Sequence, residues 1–133
     1  LSGFEGLESV SKKLSIVENS SLEDLKGLLN VESIGSLGIS CNDKLENLTG
    51  LEGLTTITND TYALSISGNP LMSSLTGLDN LIQTEGQIAI GANESLGDFC
   101  ALKNLFANGS FGEVIVEQNL ANPTPEEIAE NCL

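Results

Sequence analysis

The chain has 133 residues, 40% hydrophobic but only 4% aromatic, and sets 19 Asp and Glu against 5 basic residues for a formal net charge of −14. That length suits one domain with an aliphatic core. The charge excludes nucleic acid as a partner, because phosphate backbones are bound through Lys and Arg, and the absence of His excludes Ser-His-Asp and Cys-His chemistry.

In chain order, the sequence repeats itself. Phe4, Leu7 and Val10 recur every third residue and lead into Leu14-Ser15-Ile16, then Asn19. The second copy runs Leu22, Leu25, Leu28, Val31, Ile34, then Leu37-Gly38-Ile39 and Asn42. The third runs Leu45, Leu48, Leu51, Leu54, Ile57, then Leu64-Ser65-Ile66 and Asn69. The fourth has Met72, Leu75, Leu78, Leu81 with Thr84 in the last slot, then Ile88-Ala89-Ile90 and Asn93. The fifth has Leu96, Phe99, Leu102, Leu105 with Asn108 last, then Val114-Ile115-Val116 and Asn119. Successive Asn are 23, 27, 24 and 26 residues apart, a period of stacked repeat architectures. Leu1 to Phe4 read as the middle of a copy, so the natural chain is expected to continue upstream.

Each Leu-x-Ile segment predicts a short strand whose apolar pair faces a core, stacked on its neighbours about 4.8 Å apart. The period of three does not hold one face of an α-helix. It predicts 3₁₀ turns or extended chain, with a second short strand at each end and no long helix. Gly3, Gly27, Gly50 and Gly77, with Ala101 in the same slot, form a column where backbones approach or bend.

Asn19, Asn42, Asn69, Asn93 and Asn119 are expected to face inward as a ladder, because an amide supplies a donor and an acceptor to turns that have left the sheet. Asn19 and Asn93 also lie in N-x-Ser/Thr sequons and, as inward residues, are expected to stay unmodified. The sequons at Asn47, Asn59 and Asn108 are expected to be better exposed.

Three Cys permit three single pairings. Cys41 and Cys100 sit in different slots two copies apart, about 10 Å or more by stacking, so Cys100–Cys132 is the expected bridge and Cys41 a free thiol of the core or sheet. The bridge favours an oxidising, extracytoplasmic location. No metal or other cofactor is expected: C-x-x-C is absent, and the acidic residues are too dispersed for a Ca²⁺ loop. Thr124-Pro125-Glu126-Glu127 reads as a capping box opening a helix from Pro125 to Asn131, with Ile128 closing the core as a cap over 120–133.

On these residues the chain resembles the leucine-rich-repeat superfamily, in its receptor L-domain-like branch. The resemblance covers residues 4–119, and its clearest stretch is LSISGNPLMSSLTGLDNL at 64–81. The ending DFCALKNLFANGSFGEVIVEQN, followed by NPTPEEI and NC, is similar to that of repeat-rich cell-surface proteins of Bacteroidetes-type bacteria. The resemblance implies an exported protein without enzymatic role, anchored to a membrane only through segments outside this chain. The expected fold is α/β by convention and mostly short β: one right-handed solenoid domain over 1–133, with parallel strands, an Asn ladder, and 3₁₀ or extended chain on its other sides.

Outward strand positions form two rows, Ser15, Gly38, Ser65, Ala89, Ile115 and Val17, Ser40, Ser67, Gly91, Glu117. The interval before the strand is longest in the third copy, where Thr58–Ala63 is an insertion carrying Tyr62, the chain's one Tyr. Insertions in such stacks often bind. The expected function is a cell-surface module that binds a protein or glycan through Tyr62, Ser40, Ser65 and Ser67. The alternatives are a structural spacer of an envelope protein and, more remotely, a carbohydrate-cleaving solenoid whose paired carboxylates would need aromatic sugar platforms.

Overall fold

Alternation of apolar and polar residues produces strands in the computed structural model, which describes residues 1–132. They are β1 (Ser9–Val17), β2 (Ser33–Ser40), β3 (Thr56–Ile57), β4 (Tyr62–Ser67), β5 (Gln83–Thr84), β6 (Gln87–Gly91) and β7 (Val114–Glu117). With two short α-helices, α1 (Lys103–Asn108) and α2 (Pro125–Asn131), they make a mixed α/β protein. The strand pairings among the described residues are parallel. No helix among them is long and apolar enough to cross a membrane.

β1, β2, β4, β6 and β7 lie side by side in chain order. Their register aligns Ile16, Ile39, Ile66, Ile90 and Val116 in one inward column and Leu14, Leu37, Leu64, Ile88 and Val114 in another. A one-residue slip would turn both columns to solvent, so the apolar pattern itself pins the register. Of the second short strands expected at each end of the threefold stretch, the closing one is present, with Val10, Ile34, Ile57 and Thr84 pairing in sequence through β1, β2, β3 and β5. At its start the described residues form turns and one isolated bridge, Ser74 with Asp98.

The period of three has a direct cause. Leu28 N–H donates to Leu25 O, Leu51 to Leu48 O, Leu54 to Leu51 O, Leu78 to Leu75 O and Leu81 to Leu78 O. These are 3₁₀ bonds, which eclipse residues three apart and aim them all inward. Accordingly Leu25, Leu48, Leu51, Leu54, Leu75, Leu78 and Leu81 are buried. Phe4 of the first copy is exposed.

The fifth copy departs from this. After a 3₁₀ turn at Cys100–Leu102, α1 replaces the later tight turns, because Leu102, Leu105 and Phe106 fall at the i, i+3, i+4 spacing of a helix face. Asn108, expected in the last apolar slot, is therefore an exposed helix residue. α2 is the expected cap: Thr124 accepts from Glu127 N–H, the Glu127 side chain returns the bond, Pro125 starts the helix, and Ile128 is buried. The Cys100–Cys132 disulfide, with Cα atoms 5.4 Å apart, ties this cap to the fifth copy. Closing a loop of that size contributes about 3–4 kcal/mol. Leu133, the last residue of the expected cap, lies outside the described residues.

The ladder is built by bonds of one kind repeated. The Oδ1 of Asn42 accepts from both the N–H and Nδ2 of Asn19, and the same pair of bonds runs from Asn42 to Asn69, from Asn69 to Asn93 and from Asn93 to Asn119. Each Nδ2 from Asn42 onward also donates to a strand carbonyl of an earlier copy: Ile16, Ile39, Ile66 or Ile90. Asn122 receives the last pair of donors, from Asn119.

Two expectations need correcting here. Asn42, Asn69 and Asn93 are buried, but Asn119 is half-buried and Asn19 is exposed, because β1 forms the open edge of the stack. Cys41 is exposed rather than a core or sheet residue. It belongs to a column that precedes each ladder Asn in left-handed backbone, with Glu18, Gly68, Ala92 and Gln118. That backbone turns the chain so that the next residue faces the ladder.

Thr84 marks a local defect. Its partners in the column are Ile57, Ile34 and Val10, yet its Oγ1 is buried with no hydrogen-bond partner. Thr84→Val is expected to raise the unfolding free energy by about 1–2 kcal/mol, because an unpaired hydroxyl leaves a dry site. A urea midpoint unchanged or lowered would contradict this.

Candidate functional site

The site grows from the interval between β3 and β4. Past β3, Thr58 and Asn59 still donate to Ile34 O and Gly35 O of β2. The chain then loops through Asp60 and Thr61 and re-enters a strand at Tyr62, which pairs with Gln87. The insertion was expected to extend to Ala63, but Tyr62 and Ala63 are already strand residues. A register irregularity between Tyr62 and Leu64 absorbs the extra residue as a bulge and preserves pairing with β6.

The bulge decides which way the side chains point. Alternation places Lys13, Ser36 and Gln87 outward, one residue before the inward Leu14, Leu37 and Ile88. By the same rule Ala63 would point outward; instead it is 0% exposed and Tyr62 is 67% exposed. Asn59 fixes the returning chain, its Oδ1 accepting from the N–H groups of Thr61 and Tyr62, both at 2.9 Å. Gly86 makes room for this loop. A Cβ there would lie 2.7 Å from Asn59 O and 2.8 Å from Thr61 C.

The result is a groove of about 500 Å³ on the outer face of the sheet. It is lined by Ser36, Asn59, Tyr62, Ser65 and Gln87, with Lys13, Gly38 and Ala89 among its other residues. The Lys13 side chain passes over Gly38: a Cβ there would meet its Cε at 3.4 Å and its Nζ at 4.0 Å. Gln87 is oriented by donating from Nε2 to Glu113 Oε2 at 2.8 Å. The hydroxyls and amides offer both donors and acceptors; Lys13 is the one charged residue of the lining, and the carboxylates of Glu113 and Asp60 stand just behind it, bonded to Gln87 and Thr61.

Of the expected binding residues, the structure brings Tyr62 and Ser65 together. Ser67 lies in an adjoining shallow depression with Ser65, Gly91 and Glu117. Ser40 lines neither hollow; it pairs with Ser67 at the far end of β2, where no loop rises beside it. Lys13, Ser36, Asn59 and Gln87 are the residues that sequence reasoning missed. Extending the strand alternation one residue upstream would have found Lys13, Ser36 and Gln87. Among the described residues, no three His, Cys, Asp or Glu are grouped to hold a metal ion. Comparison of the chain with protein-family models, with curated proteins and with solved structures found no match.

Proposed function

We propose that the chain is a non-enzymatic binding module of the leucine-rich-repeat type, a right-handed solenoid working outside the cytoplasm. Its ligand, a protein or a glycan, docks on the sheet face at the Tyr62 groove. The observation that carries this reading is the outward rotation of Tyr62 by the bulge. A large ring, 67% exposed, stands among the small residues of the lining. A ring held there gains nothing for the core, and an aromatic beside a shallow hollow lined by apolar surface with a few polar groups is a common anchor for ligands. The repeat reading draws on the parallel register of the five copies and the shared asparagine ladder. The extracytoplasmic reading draws on the disulfide.

The test is a glycan array and a pull-down of surface proteins, each run with the intact chain and with Tyr62→Ala. The substitution is expected to weaken the ligand found at least tenfold, about 1.4 kcal/mol, with an unchanged thermal melt. A ligand indifferent to Tyr62→Ala, or no ligand in either screen, would favour a structural spacer instead.

A further inference from the structure

We infer that the Tyr62 face pairs with a second copy of this chain, the two sheets meeting about a twofold axis that runs along β4. This rests on reading the groove as a binding surface and names the protein that occupies it.

Register is the first argument. β1, β2, β4, β6 and β7 lie side by side, so β4 is the middle strand. Lys13, Ser36, Gln87 and Glu113 each precede an inward residue, Leu14, Leu37, Ile88 or Val114, of one aligned column. They stand at one level, and the bulge sets Tyr62 among them, opposite Gln87. From edge to edge the row reads cation, hydroxyl, aromatic, amide, carboxylate. Half a turn about the middle strand makes such a row its own complement. Lys13 meets the partner's Glu113, Ser36 meets the partner's Gln87, and the two Tyr62 rings meet beside the axis. Self-complementarity of this kind is what a closed pair requires.

Surface chemistry is the second. The next outward row, Ser15, Gly38, Ser65, Ala89 and Ile115, is mostly small, which lets two sheets approach to about 10 Å. Leu37, Ala63, Leu64 and Ala89 in the groove lining give the partner's Tyr62 ring apolar surface to cover. The three outward rows carry Lys13, Glu113 and Glu117 as their charges, out of 19 acidic and 5 basic residues in the chain. Two molecules of net charge −14 therefore repel least across this face, since charges more than about 8 Å away are largely screened at physiological salt.

The contact is small. Three rows on five strands cover about 400 Å² per copy, at about 4.8 Å per strand and 3.3 Å per residue, about half of what each partner buries in a stable complex. Asp60, on the loop entering β4, also comes near its own copy beside the axis. The pair is therefore weak and reversible.

The experiment is sedimentation of the intact chain from micromolar to millimolar concentration at physiological salt. A reversible shift from monomer to dimer is expected, and Tyr62→Ala should weaken it roughly tenfold or more. Lys13→Glu and Glu113→Lys should each weaken it by roughly tenfold or more, through like charges brought together. An equimolar mixture of those two variants should recover the native association, because every charge then meets its opposite across the axis. Recovery in the mixture also shows that both variants are folded. A chain monomeric throughout, or a dimer indifferent to both charge reversals, overturns this inference, as does a mixture that fails to recover while both variants keep the native melt. A monomeric chain that still binds a Tyr62-dependent ligand overturns this inference alone. A monomeric chain without any ligand overturns it and the broader reading together.

Discussion

Asn69→Leu is expected to lower the unfolding free energy by about 4 kcal/mol or more, from the loss of several buried bonds at about 1–3 kcal/mol each. Asn69 Oδ1 accepts from the N–H of Asn42 at 3.0 Å and its Nδ2 at 3.2 Å. Its own Nδ2 donates to Ile39 O, Ser67 O and Asn93 Oδ1. A leucine matches the size of the amide but satisfies none of these groups. The Asn42 N–H and amide and the Ile39 carbonyl would remain buried, out of reach of water. Asn19→Leu removes the same residue type from the exposed edge, where water replaces the lost partners. Its expected cost is about 1 kcal/mol. Urea unfolding followed by circular dichroism measures both. Equal costs at the two positions, or less than about 2 kcal/mol at Asn69, would show that the ladder does not hold the copies together.

Gly77→Ala is expected to cost about 3 kcal/mol or more, because strain and collision act together there. Gly77 has φ +118°, and an added Cβ would lie 1.9 Å from Leu48 O, a backbone atom in the middle of the stack. Two sister positions separate these causes. Gly3 has φ +89° but open space around it, so Gly3→Ala tests backbone strain alone, at about 1 kcal/mol. Gly27 has no left-handed backbone, but its Cβ would come within 2.7 Å of Leu1 O. Leu1 is an exposed residue whose backbone can give way, so Gly27→Ala should be the mildest of the three. Thermal and urea midpoints give the order. If Gly77→Ala cost no more than Gly3→Ala, close backbone packing would not be what the column requires.

Most residues of the candidate site were hidden by a register effect rather than by weak chemistry. Tyr62 stood out as the single tyrosine on the longest interval, and Ser65 by its place in an outward row. Lys13, Ser36 and Gln87 lie two residues upstream of Ser15, Gly38 and Ala89 in an outward row already drawn. Asn59 read only as a sequon, because its role depends on folding back to receive two N–H groups. α1 was missed for a related reason. The spacing Phe99, Leu102, Leu105 also fits threefold turns, and only the burial of Phe106 beside Leu105 distinguishes a helix.

The amino-acid sequence by itself determined the strands, the inward asparagine positions from Asn42 to Asn93, the threefold turns, the capping box and the cysteine pair. Each follows from a short periodic pattern or a local bond, and such terms act between residues whose relative placement the chain already sets. The tertiary structure alone decided that Asn19 is exposed, that Cys41 faces solvent, and that Ala63 turns inward so that Tyr62 turns out. Those outcomes depend on what lies across the sheet, an open edge in one case and the pairing demands of β6 in another. No local preference encodes a neighbour contributed by a distant copy, so the groove became visible only once the copies were stacked.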